Sequence, residues 1–103
     1  MSPPEFRYRL PDCLSIRSAE QCGISRAEVE RYRAEVNAAI RQVASRHPNV
    51  RVIDPVEFFC DASFCAPVVR GAVVTYDANH ISASAARAFA PGMRGDFAWL
   101  VGR

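Results

Sequence analysis

The chain has 103 residues, which is enough for one domain that buries roughly two thirds of its unfolded surface. Hydrophobic residues make up 50% of it and aromatic residues 10%, so a packed core is expected rather than disorder. The formal net charge of +2 is too small to indicate binding of nucleic acid or of an anionic membrane. No apolar run reaches the length of a membrane span, and residues 1–7 lack the apolar core of a signal peptide.

The first 24 residues are predicted to be irregular because three prolines interrupt them. Within this segment Phe6, Tyr8 and Leu10 alternate with polar residues, which predicts a short strand. The following residues, 13–22, begin and end with cysteine and are predicted to form a loop tied at its ends.

The four cysteines fall into two local pairs, Cys13 with Cys22 and Cys60 with Cys65. Two disulfides at these spacings would each contribute about 2–3 kcal/mol and are typical of proteins outside the reducing cytosol. Since no export signal is present, we expect the chain to belong to a longer exported or membrane-anchored protein. The alternative is four reduced thiols in a cytosolic protein. A zinc site is not favoured, because the spacings are not C-x-x-C, and no cofactor is predicted.

A long helix is predicted after Ser25, which forms a capping box with Glu28, and it ends before Pro48. The opposite face carries several arginines, including Arg33, and we interpret it as solvent-exposed rather than as a glycan- or phosphate-binding patch. The face predicted to be buried carries apolar residues at spacings of three and four: Val29, Tyr32, Val36, Ile40 and Val43.

A strand is predicted at residues 50–53, where β-branched residues precede the turn at Asp54-Pro55. A helix followed directly by such a strand is typical of an α/β unit, which predicts parallel pairing. Residues 56–59 are predicted to form one helical turn, and the cysteine-bounded segment 60–65 a short closed loop.

The last third of the chain is predicted to contain two short strands joined by a tight turn at Arg70-Gly71. Ser82 is predicted to be the N-cap of a helix that ends at Pro91-Gly92. The apolar tail, residues 97–101, is expected to form a last strand or to pack against a part of the protein beyond this chain.

Asp77 and His80 lie three residues apart where the second of these strands leads into the helix. A carboxylate at this position can bind the imidazole, fix its tautomer and make it a general base. The alternative is that Asp77 only caps the turn and His80 is a partly buried structural residue. The other histidine, His47, precedes Pro48 at a helix end and is interpreted as structural.

Several blocks of sequence follow one another in a characteristic order: Val52-Ile53-Asp54-Pro55, Phe59-Cys60 with Cys65, and Tyr76-Asp77-Ala78-Asn79-His80-Ile81-Ser82. In this order they resemble the C-terminal part of an SGNH hydrolase-like domain. The specific version is the one fused to the membrane acyltransferase-three domain of bacterial surface-polysaccharide O-acetyltransferases. The resemblance covers nearly the whole chain.

The resemblance implies an α/β fold, here an incomplete three-layer SGNH (flavodoxin-like) sandwich with a parallel sheet and flanking helices. His80 would match the catalytic histidine of an acyl-serine mechanism and Asp77 the aspartate that orients it. The Gly-Asp-Ser block with the nucleophile has no counterpart, and Ser82 and Ser84 follow His80 too closely to replace it. Residues 1–103 are therefore expected to be the C-terminal portion of the domain and to be inactive alone.

The resemblance also implies partners and a location. The acyl acceptor would be a surface glycan, and the upstream membrane acyltransferase domain would place the chain on the periplasmic, extracytoplasmic side of the inner membrane. The alternative is a non-catalytic, disulfide-stapled domain that binds a glycan or a protein through the surface where the rest of the hydrolase would dock.

Overall fold

The computed structural model describes residues 1–102, which form short helices, one long helix and two small strand pairs. The elements in chain order are α1 (Leu10–Ile16), α2 (Ala19–Cys22), β1 (Ile24–Ser25), α3 (Arg26–Arg46), α4 (Val56–Phe59), β2 (Phe64–Cys65), β3 (Val68–Val69), β4 (Ala72–Val73), α5 (Ala83–Phe89) and α6 (Arg94–Val101). A 3₁₀ turn, Ala90–Met93, joins the last two helices.

Both strand pairs are antiparallel. Strand β1 pairs with β2, and β3 pairs with β4 so that Val68 lies opposite Val73. The predicted turn between β3 and β4 is confirmed: Arg70 and Gly71 both have positive φ, at 51° and 77°. Two central residues of positive φ match the twist of the flanking strands and close a two-residue hairpin.

The parallel sheet predicted from the sequence is not formed within residues 1–102. Residues 50–53 have no strand partner, so their β-branched side chains produce no ladder. A strand forms only where a neighbouring strand supplies hydrogen bonds. The two strand pairs here, β1 with β2 and β3 with β4, are both antiparallel, and neither includes residues 50–53. The described part of the chain is therefore a small α/β structure with antiparallel pairs, and not a three-layer parallel sandwich.

The predicted strand at Phe6–Leu10 is not formed, because residues 6–9 are irregular and Leu10 begins α1. Residues 13–22 are tied at their ends by a disulfide as predicted, but most of them lie in α1 and α2 rather than in a loop. Pro11 lies in the first turn of α1, where its fixed φ suits the helix and its missing N–H has no cost. Ser18 is the N-cap of α2 and forms a complete capping box with Gln21.

The two predicted disulfides are confirmed. Cys13–Cys22 joins α1 to α2, with Cα atoms 5.9 Å apart. Cys60–Cys65 closes the loop between α4 and β2, with Cα atoms 4.1 Å apart. Both disulfides belong to the core, so they hold the N-terminal helices and the α4–β2 loop in one hydrophobic cluster.

Asp61 organises the loop that the second disulfide closes. One carboxylate oxygen of Asp61 accepts hydrogen bonds from the amides of Ser63 (2.8 Å) and Phe64 (2.7 Å). These two N–H groups lower the pKa of Asp61, because they stabilise the ionised carboxylate.

Helix α3 begins where the sequence predicted. The hydroxyl of Ser25 accepts a hydrogen bond from the amide of Glu28 at 3.2 Å. The reciprocal hydrogen bond of the predicted capping box, from the Ser25 amide to the Glu28 side chain, is not formed. Both carboxylate oxygens of Glu28 instead accept hydrogen bonds from Arg7, at 2.7 and 2.8 Å. This ion pair fastens the N-terminal segment to the first turn of α3.

The predicted buried face of α3 is largely wrong. Val29 is fully buried, but Val36 and Val43 are 62% and 55% exposed. Arg33, which was assigned to the solvent face, has a side chain only 1% exposed and binds Asp54 at 2.7 Å. The face of α3 that meets the rest of the fold therefore carries Arg33, which contacts the buried Asp54. Val36 and Val43 lie on a face that remains mostly exposed.

The apolar tail forms α6 rather than a strand. It is held by Arg51, which binds Asp96 at 2.6 Å and lies over the ring of Trp99. Phe97 and Leu100 remain more than half exposed. Within residues 1–102, no helix has both the length and the apolar character needed to cross a membrane.

Candidate active site

The segment between β4 and α5 forms a tight loop whose two ends run antiparallel to each other. Thr75 pairs with Ile81 in an antiparallel bridge, and the amide of Tyr76 donates to the carbonyl of His80 at 3.1 Å. Val74 and Thr75 are fully buried, whereas His80 is exposed. The base of the loop is therefore anchored in the core, and its tip presents polar side chains to the surface.

Asp77 makes two kinds of contact through its two carboxylate oxygens. Oδ1 accepts hydrogen bonds from the amides of Asn79 (2.8 Å) and His80 (2.7 Å). Oδ2 lies 2.7 Å from Nδ1 of the His80 ring. The two interpretations of Asp77 made from the sequence therefore coincide, since one residue caps the turn and also binds the imidazole.

These contacts hold the pKa of Asp77 down to about 2, from an ordinary value of 3.8. The amides of Asn79 and His80 are the largest causes, and the His80 ring adds to them. Asp77 is therefore ionised at neutral pH. Because an ionised carboxylate can only accept a hydrogen bond, the proton on His80 must lie on Nδ1.

His80 presents its other nitrogen to the surface. The side chain is 65% exposed, so it is not the partly buried residue that the alternative interpretation expected. Among residues 1–102 no group forms a hydrogen bond with Nε2. With the proton held on Nδ1, Nε2 carries a free lone pair, which is the protonation state that a general base requires.

The N-terminal segment holds the backbone of this loop in place. The amide of Phe6 donates to the carbonyl of Ala78 at 2.8 Å, and the amide of Leu10 donates to the carbonyl of Asp77 at 3.1 Å. The hydroxyl of Thr75 donates to the same Asp77 carbonyl at 2.7 Å. These are backbone hydrogen bonds between distant segments, so the sequence did not predict them; the apolar side chains of Phe6 and Leu10 indicated only that this segment packs against the core.

Among the described residues, no hydroxyl or thiol forms a hydrogen bond with the His80 ring. The hydroxyl of Ser82 is the predicted N-cap of α5: it donates to the carbonyl of Val73 and accepts from the amide of Ala85. All four cysteines are in disulfides, so no thiol is available. His47 is the C-cap residue of α3, as the sequence indicated.

The Asp77–His80 pair lies on an open surface. An open cleft of about 550 Å³ is lined by residues of α3, of the 52–58 segment and of the α5–α6 region. Neither Asp77 nor His80 lines it. This cleft therefore does not serve as a substrate pocket for the Asp77–His80 pair.

Comparison with protein families gives a match along most of the chain. The model described as "SGNH domain (fused to AT3 domains)" matches residues 1–95. The chain belongs to this SGNH domain family. Comparison with curated proteins and with solved structures gives no match. The match to the SGNH domain confirms the resemblance inferred from the sequence, and it includes both disulfides and the Asp77–His80 loop.

Proposed function

We propose that this SGNH domain chain supplies the histidine and aspartate of an acyl-serine active site whose serine lies in polypeptide outside residues 1–103. The observation that supports this most directly is the 2.7 Å contact between Asp77 and Nδ1 of His80, which leaves Nε2 free on an exposed ring. A carboxylate that fixes the imidazole tautomer and leaves the second nitrogen open is the arrangement that activates a serine hydroxyl.

The reaction that this arrangement supports has two stages. In the first, Nε2 of His80 takes the proton of the serine hydroxyl as its oxygen attacks the acyl carbonyl, and Asp77 stabilises the imidazolium. The imidazolium then protonates the leaving group, and an acyl-serine remains. In the second stage, Nε2 takes a proton from an acceptor hydroxyl as its oxygen attacks the acyl-serine. The bond between the acyl group and the serine oxygen then breaks, and the imidazolium returns the proton to that oxygen, which regenerates the serine.

We propose a polysaccharide hydroxyl at the cell surface as the acceptor, with water giving net hydrolysis. This acceptor is the one that the resemblance to O-acetyltransferases implies, and the family description supports the fusion on which it rests, since it names SGNH domains fused to AT3 domains. We propose such a fusion for this chain too, with the chain on the extracytoplasmic side of the membrane. The two disulfides support that placement, because they are stable outside the reducing cytosol.

The test uses the full-length parent protein, with O-acetyl groups on the surface polysaccharide as the measured product. His80→Ala is expected to lower acetylation at least about 10³-fold, and Asp77→Asn by about 10²- to 10⁴-fold. His47→Ala and Asp61→Asn are matched controls, since Asp61 caps its loop as Asp77 does but without an imidazole. Wild-type acetylation by His80→Ala would refute the proposal.

A second experiment tests where the nucleophile is. The isolated 103-residue chain is expected to show negligible turnover of a chromogenic acetyl ester. Turnover that His80→Ala abolishes would show that the chain already contains its nucleophile. DNA sequence upstream of Met1 that encodes a Gly-Asp-Ser block and membrane spans would support the proposal independently.

A second candidate function is non-catalytic binding of a protein partner. It is favoured by the apolar groove of about 300 Å³ formed by Ala39, Ile40, Val43 and Val50. This groove adjoins residues 50–53, which are in no strand within residues 1–102. Backbone that is in no strand can pair with a strand of another polypeptide. Wild-type polysaccharide acetylation with His80→Ala, together with loss of a bound partner on Val43→Glu, would favour this function.

A further inference from the structure

Tyr76 lies opposite His80 across the loop that carries Asp77. The amide of Tyr76 donates to the carbonyl of His80 at 3.1 Å, and the neighbouring Thr75–Ile81 bridge continues the antiparallel pairing. Residues opposite each other in such a ladder hold their side chains close together. The two rings are accordingly stacked, with centroids 5.7 Å apart and planes inclined by 17°.

The hydrogen bond from Nδ1 to Asp77 does not by itself fix the imidazole. A ring that is 65% exposed and held at one nitrogen can still tilt about that bond. The ring of Tyr76 is stacked on the face of the imidazole, where it can limit this tilt. Tyr76 is itself 58% exposed, so its ring is not required to fill the core.

We propose that Tyr76 is a positioning residue for His80, and that its ring face holds the imidazole where Nδ1 meets Asp77 and Nε2 stays free. The importance of this position for catalysis rests on the function proposed above.

The ring of Tyr76, and not its hydroxyl, carries this role. Within residues 1–102 no group forms a hydrogen bond with the phenol oxygen, and stacking requires only the aromatic face. Phenylalanine at position 76 should therefore preserve the arrangement, and leucine should abolish it. These two variants separate the aromatic contact from simple filling of space.

The experiment is nuclear magnetic resonance of the 103-residue chain labelled with ¹⁵N-histidine, at a pH where the rings are neutral. Long-range ¹H–¹⁵N spectra report the tautomer of each histidine, and the chain has only two. In the wild type and Tyr76→Phe we expect His80 to be a single Nδ1–H tautomer with ring protons shifted upfield by the stacked ring. In Tyr76→Leu we expect that shift to disappear and a mixture of tautomers. His47 is the internal control and should not change.

Each outcome bears on a separate claim. Wild-type His80 signals in Tyr76→Leu would overturn the role of Tyr76. If Tyr76→Leu fails to fold, nuclear Overhauser contacts between the two rings in the wild type and in Tyr76→Phe decide the question, and their absence overturns the role. A wild-type His80 with its proton on Nε2 would instead contradict the proposed function, because Asp77 would not be accepting from Nδ1.

Discussion

One carboxylate oxygen of Asp77 binds the ring of His80, while the other binds the amides of Asn79 and of His80 itself. The residue that shapes the loop is therefore the residue that orients the imidazole. Any change that removes the charge of Asp77 should affect the loop backbone and the His80 tautomer together, because both depend on the same ionised group.

Asp77 should become protonated at a lower pH than an ordinary aspartate does. Its pKa in the folded chain is about 2, against an ordinary value of 3.8. Since the folded-state pKa is the lower one, the stabilisation is fully present above about pH 4 and is lost as the pH falls through 2. We expect the carboxyl ¹³C shift of Asp77 to titrate near 2. Titration of Asp77 near 3.8 would contradict the geometry described here.

The buried ion pair between Arg33 and Asp54 predicts a large effect on stability. The Arg33 side chain is 1% exposed and that of Asp54 is 10% exposed, so Arg33→Ala would leave an acid buried without its partner. We expect a loss of about 3 kcal/mol in the free energy of unfolding, measured with urea. Arg41→Ala, at an exposed position on the same helix, should change it by less than about 0.5 kcal/mol. Equal effects of the two variants would contradict the burial of Arg33.

Gly23 should not tolerate a side chain. A Cβ atom at this position would lie 2.1 Å from Cζ of Phe64 and 2.9 Å from the carbonyl oxygen of Cys65. We expect Gly23→Ala to destabilise the chain by about 1–3 kcal/mol in thermal or urea unfolding. Gly95→Ala is the control, because a Cβ there meets no atom within 4 Å and α6 should gain helix propensity. A stable Gly23→Ala with an unstable Gly95→Ala would contradict this packing.

The isolated chain should self-associate through its uncovered apolar surface. Val36 and Val43 are more than half exposed on α3. Val43 also lines an apolar groove with Val50, and exposed apolar surface of this kind favours association. We expect dimers or larger species in sedimentation velocity at high concentration, and Val43→Glu should reduce them. Ala38→Glu, on the opposite side of the helix, is the control of equal charge. A monomer at all concentrations would contradict the prediction.

The sequence determined the features that depend on neighbouring residues. The N-cap of α3 at Ser25, the hairpin turn at Arg70-Gly71, the N-cap at Ser82 and both disulfides follow from local spacing and are present. The contact between Asp77 and His80 belongs to the same class, because three residues in a tight loop already bring a carboxylate to an imidazole. The order of these blocks was also sufficient to indicate the family.

Only the tertiary structure decided which surfaces are covered. The periodicity of α3 predicts that Arg33 is exposed and that Val36 and Val43 are buried. The structure reverses both, because burial depends on what packs against a helix and not on its own periodicity. Likewise, residues 50–53 have the composition of a strand but pair with no strand among the described residues. The amides of Phe6 and Leu10 that hold the Asp77 loop, and the stacking of Tyr76 on His80, arise from segments that meet in space or across the loop. A hydrogen bond or a buried contact between two segments requires both of them, so neither segment's sequence alone specifies it.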